Sequence, residues 1–162
     1  MAISLIAALD ENFAIGREGS LPWRLPDDLR WFKQLTVGKN VLMGYNTAIS
    51  IGRALPDRVN MVLSRRHEAP YPGQITVRSI EEAQARCDNT GLIVIGGSLV
   101  FAEALPKARR MYLTWVAAAV EGADAFFPGV HLRDWTEVTR VHHPADDQHE
   151  YAFDMVEYLR NS

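Results

Sequence analysis

The hydrophobic positions of the chain follow two different patterns. Short, almost continuous apolar runs predict strands that are buried on both faces, as in a parallel sheet. These runs occupy residues 2–9, 40–44, 59–64, 75–78, 91–95 and 109–116. Two later segments, about 134–142 and 150–158, alternate apolar and polar residues instead. Alternation on both sides of a turn predicts an antiparallel hairpin that closes the sheet.

Helical segments are predicted between these strands, so the pattern is that of an α/β fold. The first helix begins near Pro26, because proline suits the first helical turn. Further helices are expected after Gly44, from Ser79 to about Asp88, and from Gly97 to Leu105. No repeat or linker interrupts the chain, and we expect a single domain over residues 1–162.

One carboxylate of the first helix falls in an unusual position. Leu25, Leu29 and Phe32 recur at helical spacing, and Asp28 lies in the same stripe. An acid among apolar side chains is costly to bury unless a polar group meets it. Asp28 therefore either binds a hydrogen-bonding ligand or lies at a solvated edge of the stripe, and we favour a binding role. For Asp27 the helix dipole is a sufficient explanation, because acids are favoured in the first turn at the positive end of a helix.

Composition and charge narrow the class of protein. Hydrophobic residues make up 48% of the 162 residues and charged ones 23%, as in an ordinary globular chain. A net charge of −3 gives no general attraction to nucleic acid or to an anionic membrane. Cys87 is the only cysteine, which excludes an internal disulfide and favours a reducing compartment. With no basic leader and no membrane-spanning apolar run, we expect a cytoplasmic protein.

Three short segments are candidates for binding phosphate groups. Gly44 ends a strand and is followed by the hydroxyl of Thr47. The pair Gly96-Gly97 separates a buried strand from an apolar helix, and glycines there let backbone approach an anion closely. The segment 64–66, Ser-Arg-Arg, places a hydroxyl and two guanidinium groups at a strand end.

Two loops carry residues whose role the pattern leaves open. Residues 13–20 contain two glycines and form either a mobile lid or a plain connection. Arg53 and Arg58 flank Leu55 and either bind a ligand carboxylate or are solvated. The five histidines show no metal-ligand spacing, so we expect no metal site. No serine has the flanking glycines of a hydrolase nucleophile.

Taken together in order and spacing, the motifs of the chain resemble the chromosomal-type bacterial dihydrofolate reductase family. The resemblance covers essentially the whole sequence. The matching segments are 4–8, 15–16, 21–23, 25–29, 31–33, 43–44, 50–53, 55–56, Arg58, 63–64, 95–97, 112–114 and 127–128.

This resemblance implies a single dihydrofolate-reductase-like α/β domain. The expected sheet has eight mostly parallel strands with an antiparallel C-terminal hairpin, and four helices flank it. The implied reaction is NADPH-dependent reduction of 7,8-dihydrofolate to tetrahydrofolate for one-carbon metabolism. Folate-like inhibitors are further expected ligands, and the protein is expected to be a monomer.

The resemblance also implies roles for the pterin-binding residues. Asp28 would bind the pterin amino group and N3 and support protonation of N5 through water. Trp23 would hold an ordered water near the pterin, and Thr114 would hydrogen-bond to Asp28 directly or through water. Arg58 would bind the glutamate α-carboxylate, with Arg53 nearby. The remaining substrate-binding residues would line the slot for the pterin and aminobenzoyl groups: Ile6, Ala8, Leu29, Phe32, Ile51, Leu55 and Ile95.

A second group of residues is implied to bind NADPH. Ile15, Gly16 and Leu21 would belong to a mobile lid over the nicotinamide, and Gly96-Gly97 would carry a cis peptide at the pyrophosphate. The other implied cofactor-binding residues are Ala8, Gly44, Tyr45, Thr47, Leu63, Ser64, Arg65, Ser98 and Val100.

The chain departs from the family pattern at several positions. Tyr45 replaces an arginine that serves the cofactor phosphates, which leaves open whether NADPH is strictly preferred to NADH. Arg65, Arg66 and Arg78 are candidates to bind the 2′-phosphate instead. Ala123 resembles an insertion in a loop that steadies the lid in some relatives.

Two other functions fit parts of the pattern. A related reductase of the riboflavin pathway shares the fold, but the combination of Trp23 and Asp28 speaks against it. A non-catalytic pterin- or nucleotide-binding module would bind the same ligands without turnover. Loss of the acid or the tryptophan would indicate such a module, and both residues are present.

Overall fold

The computed structural model describes residues 2–162, with ten strands and four α-helices in chain order. The first half contains β1 (Ile3–Leu9), β2 (Ala14–Gly16), α1 (Pro26–Thr36), β3 (Asn40–Gly44), α2 (Tyr45–Ile51), β4 (Val59–Leu63) and β5 (Gln74–Val77). The second half contains α3 (Ile80–Ala85), β6 (Leu92–Gly96), α4 (Ser98–Ala104), β7 (Arg110–Val116), β8 (Ala125–Phe126), β9 (Trp135–His143) and β10 (Phe153–Arg160).

Eight of these strands form one mixed sheet in the order β5-β4-β3-β6-β1-β7-β10-β9. Neighbouring strands from β5 to β7 run parallel, whereas β10 is antiparallel to both β7 and β9. This confirms the predicted α/β class, the eight-stranded sheet with its C-terminal hairpin, and the four helices. The strands β2 and β8 form a separate small antiparallel pair.

The central strands lie where their apolar sequences predict. Leu5, Leu42, Met61, Val94 and Leu113 are fully buried on β1, β3, β4, β6 and β7. Strands covered on both faces need apolar side chains throughout, and this explains why their patterns are continuous rather than alternating. Helix α4 packs against β6, β1 and β3, while α2 packs against β3 and β4.

Some predicted boundaries were wrong, and local hydrogen bonds explain the differences. Helix α3 ends at Ala85 rather than near Asp88, because the Asp88 side chain accepts the backbone N–H of Thr90 and draws the chain into a turn. The last strand begins at Phe153 rather than 150, because Asp146 and His149 pair their backbones in a turn. The pairing of β2 with β8 is a tertiary contact that the local pattern did not predict.

The parallel arrangement brings the carboxyl ends of β1, β3, β4, β6 and β7 to one edge of the sheet. Ligands of open α/β sheets bind in the crevice at such an edge. No helix in residues 2–162 is both long enough and apolar enough to cross a membrane.

Candidate active site

A cleft of about 1060 Å³ opens at this edge of the sheet. One wall comes from α1 and the end of β1, and another from the ends of β3, β4 and β6 with the helices that follow β3 and β6. The residues predicted from the sequence that line it are Ile6, Ala8, Ile15, Gly16, Leu21, Asp28, Leu29, Phe32, Gly44, Tyr45, Thr47, Ile51, Leu55, Leu63, Ser64, Arg65, Ile95, Gly96, Gly97, Ser98, Val100 and Thr114. Predicted pterin and cofactor residues therefore share one cleft.

Asp28 is the carboxylate on the α1 wall of this cleft. The hydroxyl of Thr114 donates a hydrogen bond to Oδ1 of Asp28 across 2.5 Å. Burial raises the pKa of Asp28 from its ordinary 3.8 to about 6, and the hydrogen bond from Thr114 acts in the opposite direction. Such a carboxyl changes charge close to neutral pH, as is typical of functional sites.

Trp23 lies behind the cleft rather than along it. Its side chain is 8% exposed and packs with Leu25, Val116, Ala118 and Phe153. The indole N–H is buried and has no hydrogen-bond partner among residues 2–162. A buried tryptophan N–H normally finds a partner, so this donor is suited to a small polar ligand or water.

The two arginines predicted to bind a substrate carboxylate do not line the cleft. Arg58 uses Nε to donate to the Pro56 carbonyl at 2.8 Å and Nη1 to donate to the Thr36 hydroxyl at 3.0 Å. These bonds fix Arg58 beside α1 and next to Leu55, which does line the cleft. Arg53 is exposed.

Glycines at the ends of β3 and β6 leave room that a side chain would fill. A Cβ at Gly97 would approach the Thr47 hydroxyl oxygen to 3.2 Å, and one at Gly44 would approach Cγ2 of Val100 to 3.2 Å. Gly96 has a φ of +143°, a conformation that favours glycine, and the Gly96-Gly97 peptide bond is cis. The cis bond agrees with the expectation from the family resemblance.

Basic and aromatic residues lie beyond the glycines, at the ends of β4 and β3. Arg65 and Arg66 both line the cleft, and Arg65 forms an exposed ion pair with Glu103 at 3.2 Å. The rings of Tyr45 and His67 contact each other with centroids 4.6 Å apart. Arg78 does not belong to the lining residues.

The Arg78 guanidinium instead holds the loop after β4. It donates to the carbonyls of Ser64 and His67 at 2.6 and 3.1 Å, and it pairs with Glu68 at 2.8 Å. Of the three arginines that the sequence offered for a phosphate, Arg65 and Arg66 are therefore the two that face the cleft.

The loop between β2 and α1 covers the mouth of the cleft and is tied on both sides. The backbone N–H of Glu18 donates to Asp124 at 3.0 Å, and the N–H of Asp124 donates to the Gly16 carbonyl at 3.1 Å. On the opposite side, the Ser50 hydroxyl donates to the Gly19 carbonyl at 2.5 Å. These hydrogen bonds hold the loop at both sides of the cleft.

Sequence reasoning missed a further set of cleft residues. Their sequence context indicated no binding role, and they reach the cleft through tertiary packing. They are Trp31, Asn46, Ser50, His67, Leu99, Glu103 and Ala125. For Trp31, the helical spacing from Asp28 was a usable signal, because residues three apart are neighbours on a helix.

The fold and the cleft define an α/β protein with a candidate ligand site that runs from a half-buried carboxylate to a glycine-lined end. A family model described as dihydrofolate reductase matches residues 2–160. Dihydrofolate reductase type 3 of Salmonella typhimurium is 45% identical over 161 residues, which cover 99% of each chain. Dihydrofolate reductase of Haemophilus influenzae is 42% identical and covers 93% of this chain and 94% of its own length.

A solved structure gives the same result. Dihydrofolate reductase from Enterococcus faecalis, complexed with NADP(H) and RAB-propyl, is 36% identical, with a TM-score of 0.88. The similarity covers 99% of this chain and 97% of the other. The chain belongs to the dihydrofolate reductase family, whose members are NADPH-dependent oxidoreductases.

Proposed function

We propose that the chain reduces 7,8-dihydrofolate to 5,6,7,8-tetrahydrofolate, with hydride delivered to C6 and a proton to N5. The observation that carries this proposal is the carboxyl of Asp28, which meets the Thr114 hydroxyl inside an apolar cleft. Oδ1 keeps a second lone pair beside the Thr114 bond and Oδ2 is a further acceptor, so the two oxygens match the pair of donors that a pterin offers, its amino group and N3. Reduction of the C6–N5 double bond then adds one hydride and one proton.

The apolar lining suits a flat heterocycle. Ile6 and Ala8 on β1 face the same cleft as Leu29 and Phe32 on α1, and Ile51 and Leu55 continue the slot toward Arg58. Ala8 is small, so a ring can lie against the strand. The pterin would bind at the Asp28 end and the aminobenzoyl group between Leu29 and Ile51, with apolar burial as the main source of affinity.

The charged tail of the substrate would bind at the outer end of this slot. Arg58 is fixed through Nε and Nη1 by the Pro56 carbonyl and the Thr36 hydroxyl. A guanidinium held in this way can donate its remaining N–H groups to the glutamate α-carboxylate without losing much side-chain freedom. Arg53 adds positive charge nearby and supports the same contact.

Asp28 would also control the proton needed at N5. With a pKa of about 6, its carboxyl exchanges protons readily near neutral pH. Asp28 lies at the amino side of the pterin, so the proton would reach N5 through a water molecule. The buried N–H of Trp23 is a suitable donor to hold such a water.

The glycine-lined end of the cleft fits NADPH. A Cβ at Gly97 would come within 3.2 Å of Thr47, so side chains at this position would occupy the space that a pyrophosphate needs. Thr47 and Ser98 supply hydroxyl donors, Gly44 allows close approach of the backbone, and Leu63 and Val100 add apolar side chains to the lining. When bound, NADPH supplies the hydride for C6 of the pterin.

Arg65 and Arg66 would bind the 2′-phosphate in place of the arginine that Tyr45 replaces. Both line the cleft, and their positive charges would attract a phosphate although the chain as a whole is acidic. Ser64 adds a hydroxyl at the same point. The neighbouring Tyr45 and His67 rings, which are tilted by 31° to each other, add aromatic surface against which the adenine would lie.

The lid completes the site. Ile15, Gly16 and Leu21 line the cleft above the position of the nicotinamide, and they would exclude bulk water during hydride transfer. Folate-like inhibitors are expected to occupy the same pterin slot. The tetrahydrofolate formed would enter one-carbon metabolism.

The test is the fall in near-ultraviolet absorbance when the purified protein meets dihydrofolate with NADPH, with NADH run in parallel. A rapid fall in absorbance with NADPH, and a much slower fall with NADH, would support both the reaction and the role of Arg65 and Arg66. An equal rate of absorbance loss with both cofactors would support the reaction but refute the 2′-phosphate contacts. Binding of both ligands without any loss would overturn the reductase function in favour of a binding module.

A further inference from the structure

The start of helix α1 is held by a side chain from the other end of the sequence. The residue before the helix, Leu25, has no side-chain acceptor, although its carbonyl receives the N–H of Asp28 at 3.0 Å. The first-turn N–H of Asp27 instead donates to Nε2 of His149 at 3.0 Å, across 122 positions. His149 therefore does what a serine or aspartate before the helix commonly does.

The His149 ring is fixed in the form that this contact requires. The residue is 2% exposed, and its Nδ1 lies 2.8 Å from Oδ1 of Asp146. Because Nε2 accepts the N–H of Asp27, Nδ1 carries the ring proton and donates it to Asp146. The backbones of Asp146 and His149 also pair with each other, at 2.9 and 3.2 Å.

A second histidine of the β9–β10 hairpin strengthens this contact. Nε2 of His143 lies 2.7 Å from Oδ2 of Asp27, and its ring stacks on Phe153 with centroids 4.5 Å apart. Asp27, His143 and His149 each offer a ligand atom within 4.8 Å of the others, a spacing that would suit a metal ion. Nε2 of His149 already accepts a backbone N–H, however, and Oδ2 of Asp27 already meets His143. We therefore interpret the group as a hydrogen-bonded clamp on the helix.

We infer that His149, held by Asp146, is the positioning residue for Asp28. This inference rests on the proposed function, in which Asp28 binds the pterin. The His149 contact fixes the Pro26–Asp27 peptide unit, one residue before Asp28, and the Thr114 hydrogen bond fixes the carboxyl of Asp28. A short shift of the first helical turn would change the distance between that carboxyl and its ligand, even though His149 itself does not line the cleft.

The position of α1 predicts which of the two ligands loses affinity when the clamp is removed. The helix contributes Asp28, Leu29, Trp31 and Phe32 to the cleft, all of them at the proposed pterin end. None of the proposed cofactor residues lies on α1. Most are on β3, α2, β4, β6 and α4 or directly after these elements, and the lid residues Ile15, Gly16 and Leu21, like Ala8 on β1, precede α1 in the chain. Loss of the clamp should therefore weaken dihydrofolate binding and leave NADPH binding nearly unchanged, whereas a general loosening of the fold would affect both.

The experiment measures dissociation constants for dihydrofolate and NADPH separately, by quenching of tryptophan fluorescence. His149→Leu removes the acceptor and is expected to weaken dihydrofolate binding by about 3- to 20-fold, the range that loss of a helix cap produces, with NADPH within about twofold. His149→Gln keeps an acceptor oxygen for the Asp27 N–H and is expected to restore most of the affinity. His142→Ala is the control, because His142 lies on the same hairpin but pairs with Asp154.

A double-mutant cycle with Asp28→Asn tests whether His149 acts through Asp28. We expect His149→Leu to have little further effect on dihydrofolate binding in the Asp28→Asn background. The same fold-change in both backgrounds, equal weakening of both ligands, or failure of His149→Gln to rescue a folded protein would overturn the inference. If Asp28→Asn alone binds dihydrofolate like the parent chain, the pterin-binding role of Asp28 in the proposed function is wrong, whatever the His149 variants do.

A second variant covers the case in which His149→Leu does not fold. The Asp146 side chain is 48% exposed, so Asp146→Ala leaves the core intact while removing the group that orients the His149 ring. We expect the same selective loss of dihydrofolate affinity, of smaller size. Unchanged affinity in folded Asp146→Ala protein would contradict the role of Asp146 in the clamp.

Discussion

The Thr114 hydroxyl donates a 2.5 Å hydrogen bond to Asp28, although the two residues lie 86 positions apart. Thr114 reaches this position because β7 runs parallel to β1, with Thr114 opposite Ala8. Burial raises the pKa of Asp28, and the hydrogen bond stabilises its charged form. The balance of these two effects sets the charge of the cleft carboxylate near neutral pH.

Removal of the Thr114 hydroxyl should raise the pKa of Asp28 further. A hydrogen bond to a charged group contributes about 1.5–3 kcal/mol, so Thr114→Val is expected to raise this pKa by about one to two units. Titration of the aspartate carboxyl ¹³C signals by NMR measures the change directly. Thr114→Ser keeps the hydroxyl and should titrate like the parent chain, and equal pKa values in all three proteins would refute the coupling.

Asp28→Asn should stabilise the fold at neutral pH. The folded-state pKa of about 6 exceeds the ordinary 3.8, so the native state holds its proton more tightly and loses stability as the pH rises through 6. At 1.36 kcal/mol per pKa unit, the buried charge costs at most about 3 kcal/mol above that pH. Urea unfolding should show Asp28→Asn more stable at pH 7.5, with the difference disappearing below about pH 4.

The adjacent acid provides the control for that measurement. The pKa of Asp27 is lowered, chiefly by its hydrogen bond to His143, so its charge is favoured in the folded state. Asp27→Asn should therefore give no gain in stability at pH 7.5. A similar gain from both variants would mean that burial of Asp28 is not the cause.

Gly97→Ala should weaken cofactor binding selectively. The new Cβ would lie 3.2 Å from the Thr47 hydroxyl oxygen, and overpacking typically costs about 1–3 kcal/mol. We expect an increase in the NADPH dissociation constant of about tenfold or more, with dihydrofolate binding little changed. Gly129→Ala is the matched control, because a Cβ there meets nothing within 4 Å. Unaltered NADPH affinity in Gly97→Ala would argue against a cofactor at this end of the cleft.

Asp124→Ala should loosen the lid. It removes the acceptor of the Glu18 N–H, and the loss of one such hydrogen bond corresponds to about 3- to 10-fold faster NADPH release. Stopped-flow displacement of bound NADPH gives this rate. Glu121→Ala alters the same loop but keeps the carbonyl that accepts from Arg17, so it should release NADPH at the parent rate. Equal rates in all three proteins would show that this tie does not hold the lid.

The sequence predicted those features that depend on local pattern. Continuous apolar runs located the central strands, and helical spacing alone placed Asp28 in an apolar stripe. The glycine pair 96–97 was similarly visible, because backbone that approaches a ligand requires residues without side chains. Most of the individual cleft residues came instead from the family resemblance, since spacing alone cannot bring separate strands together.

Features that depend on contacts between distant segments were not predictable in this way. The clamp of Asp27 by His149 joins residues 122 positions apart, and the histidine spacing gave no sign of it. Arg58 was expected in the cleft, yet local hydrogen bonds hold it beside the lining. The β2–β8 pair that supports the lid likewise arises from tertiary packing.

The most direct test of the proposed reaction is the rate of NADPH oxidation with dihydrofolate at pH 7.5 and pH 5.5, for the parent chain and for Asp28→Asn. We expect the parent chain to turn over at both pH values. Asp28→Asn should lose about 100-fold or more at pH 7.5, since loss of an acid–base group costs about 10²–10⁴-fold, and recover partly at pH 5.5, where the substrate arrives protonated. Unchanged turnover of Asp28→Asn at pH 7.5 would contradict the role of Asp28 in supplying the proton.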